Sequence, residues 1–346
     1  MAESKKKIKL GYDDVSVIPA TLTNIMSKKE CNPYDSSGML PIFASPTDTV
    51  VNEDNIEDFV KNKINIVIPQ NIPINKRIEL ARRYKCFFAI SLKEAKGAAD
   101  AYESVLGPQG WLRSGVHWKI CVEGVSGHIG DFVDACARLK KLSGVTVEIM
   151  AGNIANPSVY YLYDEAGIDY VRVGGGRSET NDAGISFPQF SLLEETYWAK
   201  KRLGGQCKII ADGGIEGFCD IQKALIFADY VMIGDPFKKT MESAHRTTYG
   251  KRYFNIDGYK FFRPIATLFT HGREIPRKKY EWAFKLFKGG ELDIIKGPRE
   301  LEDKVECSIA EWVEKETDFL RLAMICTNSR TLAEYKESEY VVKNAK

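Results

Sequence analysis

No apolar stretch in this sequence approaches the roughly 20 residues needed to cross a bilayer. Residues 1–10 form a lysine-rich polar tail rather than the apolar run of a secretory signal. No membrane partner is expected, and the expected location is the cytoplasm. An excess of one charge is missing as well. The 49 basic and 47 acidic residues leave a formal net charge of +2, too weak a field to steer nucleic acid or coat an anionic surface. The aromatic and basic stretch 251–288 is offset by interspersed acids, so nucleic acid is not an expected partner. Histidine is scarce: His117, His128, His245 and His271 are unclustered and lack ligand spacing, so no metal is expected. His128, after Ser126-Gly127, stands where a loop could present it to a cleft. The eight cysteines include no C-x-x-C pair and several interrupt apolar runs, the usage of buried free thiols in a reducing compartment. Long linkers and low-complexity segments are also wanting, and nothing marks a second independent domain.

What is present is a repeated unit. A short apolar run followed by an amphipathic stretch recurs eight times, with the runs at 41–45, 64–69, 86–91, 118–123, 146–151, 169–174, 207–212 and 229–234. Most are continuously apolar and β-branched, as parallel strands buried on both faces require. Segments between them, such as 131–141, 157–166 and 218–227, carry apolar residues at helical spacing with charges opposite. Strands alternating with helices predict parallel pairing. Eight units over about 240 residues match a closed (β/α)8 TIM barrel in size, whereas an open doubly wound sheet stops sooner. The expected layout is a single domain over 1–346, with a barrel core over about residues 10–243. A flap-like excursion follows over 244–306, without clear period, and then a C-terminal helix and tail over 307–346. Ser308-Ile309-Ala310-Glu311 has capping-box form, and Ile309, Trp312, Val313, Leu320 and Met324 give that helix an apolar stripe for packing on the barrel.

Such a barrel places its site at the strand C-terminal ends, and the loops after strands seven and eight often hold a phosphate. The seventh run ends in Ala211-Asp212-Gly213-Gly214-Ile215, read as a carboxylate and two glycines at a helix start; the eighth ends in Met232-Ile233-Gly234-Asp235-Pro236. Asp212 could accept hydrogen bonds from ribose hydroxyls while the Gly214 and Gly234 amides face a phosphate. The plainer alternative is that these glycines only permit tight turns. Asp235 argues against a phosphate beside it, unless it turns outward or caps the next helix.

These motifs stand in order with others: Tyr12-Asp13-Asp14-Val15, the run from Leu40 through Ser45-Pro46-Thr47-Asp48-Thr49-Val50, Ala151-Gly152-Asn153-Ile154-Ala155, Tyr170-Val171-Arg172-Val173-Gly174, and Tyr230-Val231-Met232-Ile233-Gly234. Together they resemble the ordered landmarks of the IMP dehydrogenase and GMP reductase family over nearly the whole chain. Thr331-Leu332-Ala333-Glu334 and Tyr340-Val341-Val342 resemble that family's last helix and strand. No regulatory nucleotide-binding insert interrupts the barrel, so the layout is similar to GMP reductase. The resemblance implies a purine nucleotide (IMP, GMP or XMP), NAD or NADP as cofactor, and a homotetramer. It places Ser45, Asn153 and Arg172 around the purine and the dinucleotide, Asp212 on the ribose, and Gly214 and Gly234 on the phosphate. Glu123 stands where the family has an aspartate toward the nicotinamide ribose, and Gly174 and Gly176 flank the cofactor. Arg172 as an ion-paired strand residue and Asn153 as a turn former are the alternatives.

Two departures qualify the implied activity. The family reaction needs a cysteine after the sixth strand whose thiolate attacks purine C2; here that loop, 174–184, contains none. Ser178 or Thr180 could stand in as the nucleophile with Glu179 as a base, although a hydroxyl ionises far less readily than a thiol. Pro264 and Ala266 occupy positions where the family has glycines whose backbone meets the nucleotide. Two functions therefore compete: a purine-nucleotide oxidoreductase with a diverged site, and a catalytically inactive relative acting as a nucleotide-binding or oligomeric scaffold.

Overall fold

The computed structural model describes residues 8–104, 110–124, 126–174, 184–244, 259–262 and 301–343. A short strand, β1 (Val15–Val17), precedes eight parallel strands: β2 (Ile42–Ala44), β3 (Asn65–Ile68), β4 (Phe87–Ser91), β5 (His117–Glu123), β6 (Thr146–Ile154), β7 (Tyr170–Val173), β8 (Lys208–Asp212) and β9 (Tyr230–Ile233). They hydrogen-bond in sequence order, and β9 returns to β2 through Ile42↔Val231, Phe43↔Met232 and Ala44↔Ile233, closing the barrel. The expected (β/α)8 barrel is what forms, with seven of the eight strands within a residue or so of the expected bounds.

Alternation along the strands divides the apolar residues between two cores. Phe43, Val67, Phe87, Ala89, Cys121, Met150, Tyr170, Ile210 and Met232 fill the barrel interior. Their intervening neighbours, such as Ile42, Ile66, Ile90, Ile120 and Val171, face the surrounding helices. Toward the strand N-terminal ends the interior is aromatic: Phe87 lies 5.4 Å from Tyr170, Phe43 5.3 Å from Tyr230, and Tyr170 5.9 Å from Tyr230, ring centre to ring centre. The interior is thus a packed core with no channel through it.

The helices between strands are α1 (Ile56–Lys61), α2 (Ile74–Tyr84), α3 (Leu92–Tyr102), α4 (Gly130–Lys140), α5 (Tyr160–Glu165), α6 (Gln189–Leu203) and α7 (Phe218–Ala224), with a single turn, α8 (Asp235–Lys238), after β9. Two Asp-Tyr-Val steps fasten the barrel at its N-terminal end. Asp169 accepts from the Ile149 amide at 2.7 Å, and Asp229 from the Ile209 amide at 2.7 Å. Lysines flank both carboxylates: Lys140 lies 2.8 Å from Asp169, Lys200 lies 3.0 Å from Asp229, and Lys336 pairs with Asp229 as well. Lys336 and Lys200 hold the half-buried Asp229 below its ordinary pKa despite desolvation.

Within the region read as an excursion, β10 (Tyr259–Phe262) pairs antiparallel with β11 (Leu301–Lys304). The C-terminal helix α9 (Ile309–Cys326) begins at the expected cap. The Ser308 hydroxyl accepts from the Glu311 amide and the Glu311 carboxylate accepts from the Ser308 amide at 2.8 Å. Ile309, Trp312, Leu320 and Met324 are buried, and Trp312 packs on Phe218 and Phe237. A last turn, α10 (Leu332–Tyr335), leads to β12 (Tyr340–Val342), which pairs antiparallel with β1.

One member of the buried face of α9 is charged by type. Glu316 has no exposed surface, and the described residues give it a single partner, the Gln222 amide of α7 at 3.2 and 3.3 Å. Among the described residues, Tyr335 is a titratable group set against it. Desolvation raises its pKa well above the ordinary carboxylate value, so it packs as a neutral acid. The unfolded chain loses this proton near pH 4.3 while the folded chain keeps it, so stability falls as pH rises from there to the folded pKa. Glu316→Gln removes that dependence. Its melting temperature should gain on that of the parent by several degrees between about pH 5 and pH 8; a constant difference in thermal melts would mean that Glu316 is ionised in place.

Candidate active site

The strand period that packs the barrel also builds its mouth. Two residues above Tyr170, Ile210 and Cys121, on the same interior face, stand Arg172, Asp212 and Glu123. The apolar layers therefore end in a charged one at the strand C-terminal ends, where barrels of this type carry their sites. Arg172 Nε donates to Asp212 Oδ2 at 2.7 Å, and its Nη1 donates to Glu123 Oε1 at 3.0 Å. Below it lies the Cys121 thiol, with Sγ 3.7 Å from Nη1.

Burial works against a charged guanidinium, but Asp212 above all, with Glu123 beside it, outweighs burial and holds the Arg172 pKa well above its ordinary value. Removing one member of a buried group of this kind typically costs about 3–5 kcal/mol, because the others are left unpaired. Arg172 is thus the ion-paired strand residue that was one of the two sequence readings. The same pairing sets a carboxylate on either side of the guanidinium at the mouth.

Asn153 completes the network by donating from Nδ2 to Asp212 Oδ2 at 2.7 Å. Its geometry corrects the reading of this segment as a turn after a strand ending at 151. The strand β6 continues to Ile154, and the pairing with β7 steps from Gly152↔Arg172 to Ile154↔Val173. Asn153 is the extra residue of this bulge, and such an insertion re-aims a side chain. On the far side Gln70, just past β3, donates from Nε2 to Glu123 Oε2 at 2.9 Å. Gln70 and Gln189 were not among the sequence candidates. Gln70 follows an apolar run at its C-terminal end, the position at which a polar residue faces the mouth, and that was the available signal.

The glycines divide into different roles. Gly174 has φ +135° and lies so close to β8 that a Cβ would stand 2.2 Å from the Asp212 carbonyl oxygen and 2.6 Å from Gln189 Oε1. Packing alone demands glycine there, and Gln189 secures the turn by donating to the Val173 carbonyl at 2.8 Å. Gly214, with φ +71°, is exposed. It is not at a helix start as expected: α7 begins at Phe218, capped at Gly217, and Asp220 Oδ2 already accepts from the Glu216 and Gly217 amides at 3.1 Å each. Gly234 does precede a helix, the single turn α8, and a Cβ on it would meet Ser45 Cβ at 3.5 Å. Ser45 and Gly234 are thus neighbours across the β2–β9 seam, and the Ser45 amide donates to the Ile233 carbonyl at 2.9 Å.

Asp235 turns outward, with its side chain 56% exposed, and pairs with Lys238 one turn on. In the loop after β5, His128 Nε2 accepts from the Ala155 amide at 2.9 Å, and burial lowers its pKa, so the ring is held neutral. Gly176, Ser178, Glu179, Thr180, Pro264 and Ala266 lie outside the described residues. Among the described residues no group of histidines, cysteines and acids could hold a metal ion, and no helix is long and apolar enough to cross a membrane.

Comparison with known proteins agrees with this arrangement. A GMP reductase of Clostridium acetobutylicum is 26% identical over 332 residues, covering 90% of this chain and 93% of its own length. One of Streptococcus suis is 26% identical over 353 residues, covering 96% and 95%. An inosine-5′-monophosphate dehydrogenase of Chlorobaculum parvum is 35% identical over 133 residues, a local match that covers 37% of this chain and 26% of that protein. The model of the IMP dehydrogenase / GMP reductase domain matches residues 9–346. The chain, in its barrel and in the order of the residues at its mouth, belongs to the IMP dehydrogenase and GMP reductase family.

Proposed function

We propose that the chain is an oxidoreductase of the IMP dehydrogenase and GMP reductase type, working at C2 of a purine held by its ribose, with NAD or NADP as the redox partner. The observation that carries this reading is the single guanidinium that holds two carboxylates at the barrel mouth. Asp212 receives both of its hydrogen bonds on Oδ2, and Oδ1 has none among the described residues. Glu123 receives one on each oxygen, which leaves a lone pair on each. Each acid can therefore accept a further pair of hydroxyls, as a ribose diol supplies. Two ribose-binding acids held by one guanidinium would bring two nucleosides to the same mouth, as moving hydride from one ring to another requires.

The residues at the mouth fit a dinucleotide in this sense: Glu123 would hold the nicotinamide ribose, with the backbone at Gly174 and Gly176 beside it. Bound there, the nicotinamide would supply or accept the hydride at purine C2. Arg172 pairs with both acids and orients them, and Asn153 fixes which face of Asp212 is open. The covalent step falls to the 174–184 loop. The hydroxyl oxygen of Thr180 or Ser178 would add to C2 as its proton passes to the Glu179 carboxylate and the C2=N π pair moves onto the ring nitrogen; that pair returns when the C2 substituent or hydride departs, and the base is needed because a neutral hydroxyl is too weak a nucleophile alone. Ser45, Gly214 and Gly234 would line the rest of the purine ribosyl ligand, and the family resemblance points to a homotetramer acting in the cytoplasm.

A second reading, a catalytically inactive relative that binds its ligand or assembles as a scaffold, is favoured by one observation: no cysteine stands in the loop where the family chemistry needs its thiolate.

Three outcomes separate these readings. Asp212→Asn should weaken binding of purine nucleosides and nucleotides by about tenfold or more in isothermal titration, and unchanged affinity would remove Asp212 from the ribose. The double variant Ser178→Ala, Thr180→Ala should bind within about threefold of the parent and lose about a hundredfold or more of any turnover followed at the nicotinamide absorbance band; equal turnover would leave both hydroxyls idle. Sedimentation should give the mass of four chains, whereas a monomer would count against the assembly that the family implies.

A further inference from the structure

The bulge that aims Asn153 at Asp212 is held from outside its own strand. Between Gly152 and Ile154 the β6 backbone leaves the ladder for one residue, and an inserted residue of this kind has no place in the regular pairing. Hydrogen bonds from both sides grip the segment instead. On the β7 side the Gly174 amide donates to the Ile154 carbonyl at 2.8 Å. On the β5 side the Gly127 amide donates to the Asn153 carbonyl at 3.1 Å, and the Ala155 amide donates to His128 Nε2 at 2.9 Å. The last two make one clasp, in which the loop after β5 offers a backbone donor to residue 153 and a side-chain acceptor to residue 155.

The loop is itself fixed where it grips. Gly127 is buried, and the Tyr163 hydroxyl of α5 donates to its carbonyl at 2.9 Å. A Cβ at 127 would stand 2.6 Å from the Asn153 carbonyl oxygen, so glycine is what lets the two backbones approach. His128 follows directly, and the state of its ring decides the second half of the clasp. An imidazole accepts at Nε2 only when neutral, with its proton on Nδ1, whereas the imidazolium donates from both nitrogens. Protonation would therefore set Nε2–H against the Ala155 N–H, donor against donor. Burial already lowers the His128 pKa below the ordinary imidazole value of 6.5, and among the described residues no charged side chain contributes to that shift. Tyr163, the titratable group bonded to the same loop, is pushed up by burial and keeps its proton.

We propose that His128 is a positioning residue for the ribose-binding site: its neutral imidazole locks the β6 bulge through Ala155, the lock keeps the Asn153 amide on Asp212 Oδ2, and ligand binding at the mouth weakens when His128 takes a second proton. The proposal rests on the reading of Asp212 as the ribose-binding acid.

The test compares the full parent chain with His128→Ala, which removes the acceptor, and His128→Gln, whose amide oxygen reaches the place of Nε2 and does not titrate. Amide hydrogen exchange over residues 153–156 reads the clasp without a ligand. Isothermal titration with IMP and GMP, from about pH 5 to about pH 8, reads its consequence. Comparing the three chains at each pH cancels ionisation of the nucleotide and of every group they share. At about pH 8 His128→Ala should exchange this segment about tenfold faster than the parent and bind about threefold to tenfold more weakly, the range of one lost hydrogen bond. His128→Gln should stay within about twofold of the parent in both readouts. At about pH 5 the parent should fall towards His128→Ala while His128→Gln does not. Unchanged exchange in His128→Ala would remove the clasp. Parallel binding curves for the parent and His128→Gln through the acid range, or parent-like binding by His128→Ala, would overturn the positioning role. If neither nucleotide binds the parent chain, the ribose reading falls, and exchange alone then decides whether His128 locks the bulge.

Discussion

Arg172 stands on the interior face of β7 with an aromatic ring two residues below it and a carboxylate on either side. A guanidinium in that place would be too costly to bury alone, and Glu123 and Asp212 would repel each other without it. Each member makes the others tolerable, and the group fixes β5, β7 and β8 at one height around the barrel. Asn153 from β6 and Gln70 after β3 add neutral amides at the two ends. The result is a polar layer whose internal bonds hold five side chains, from β5, β6, β7, β8 and the loop after β3, with acceptor capacity left over on the acids. A preformed layer of this kind loses little freedom when a ligand arrives, which is why geometry required for stability can also serve recognition.

The barrel was legible because its strands are dominated by one physical demand. Buried on both faces, they must be apolar throughout, and eight such runs separated by amphipathic stretches admit few other architectures. Asp212 and Arg172 were legible for a related reason, since charged residues at the ends of apolar runs have to point somewhere other than the core. The bulge at Asn153 was not, because a single residue inserted in one strand leaves no trace in hydrophobic period. Gln70 was passed over as an ordinary polar residue beyond a strand end. The helical spacing over 218–227 marks the start of α7, but the paired glycines before it do not begin a helix, because a glycine marks a turn without fixing where the next helix starts; the cap at Gly217 with Asp220 three residues on is the better sign.

Buried acids were the least readable features of all. Glu316 falls among the apolar positions of α9 and is carried there as a neutral group by the Gln222 amide; sequence periodicity treats every glutamate as a surface charge. Asp48 lies inside a stretch recognisable as a family landmark, yet it is buried, and burial pushes its carboxyl up to about 6. Both cases have the same physical root. Protonation state is decided by surroundings that come from distant parts of the chain, and local pattern carries no information about them.

The aromatic floor formed by Phe43, Phe87, Tyr170 and Tyr230 makes the mouth a blind recess. Whatever settles deepest against the charged layer must enter before anything that covers it, and can depart only after that cover has gone. Any two ligands that share this recess consequently use the same doorway, because a plug of four rings closes the opposite end of the barrel.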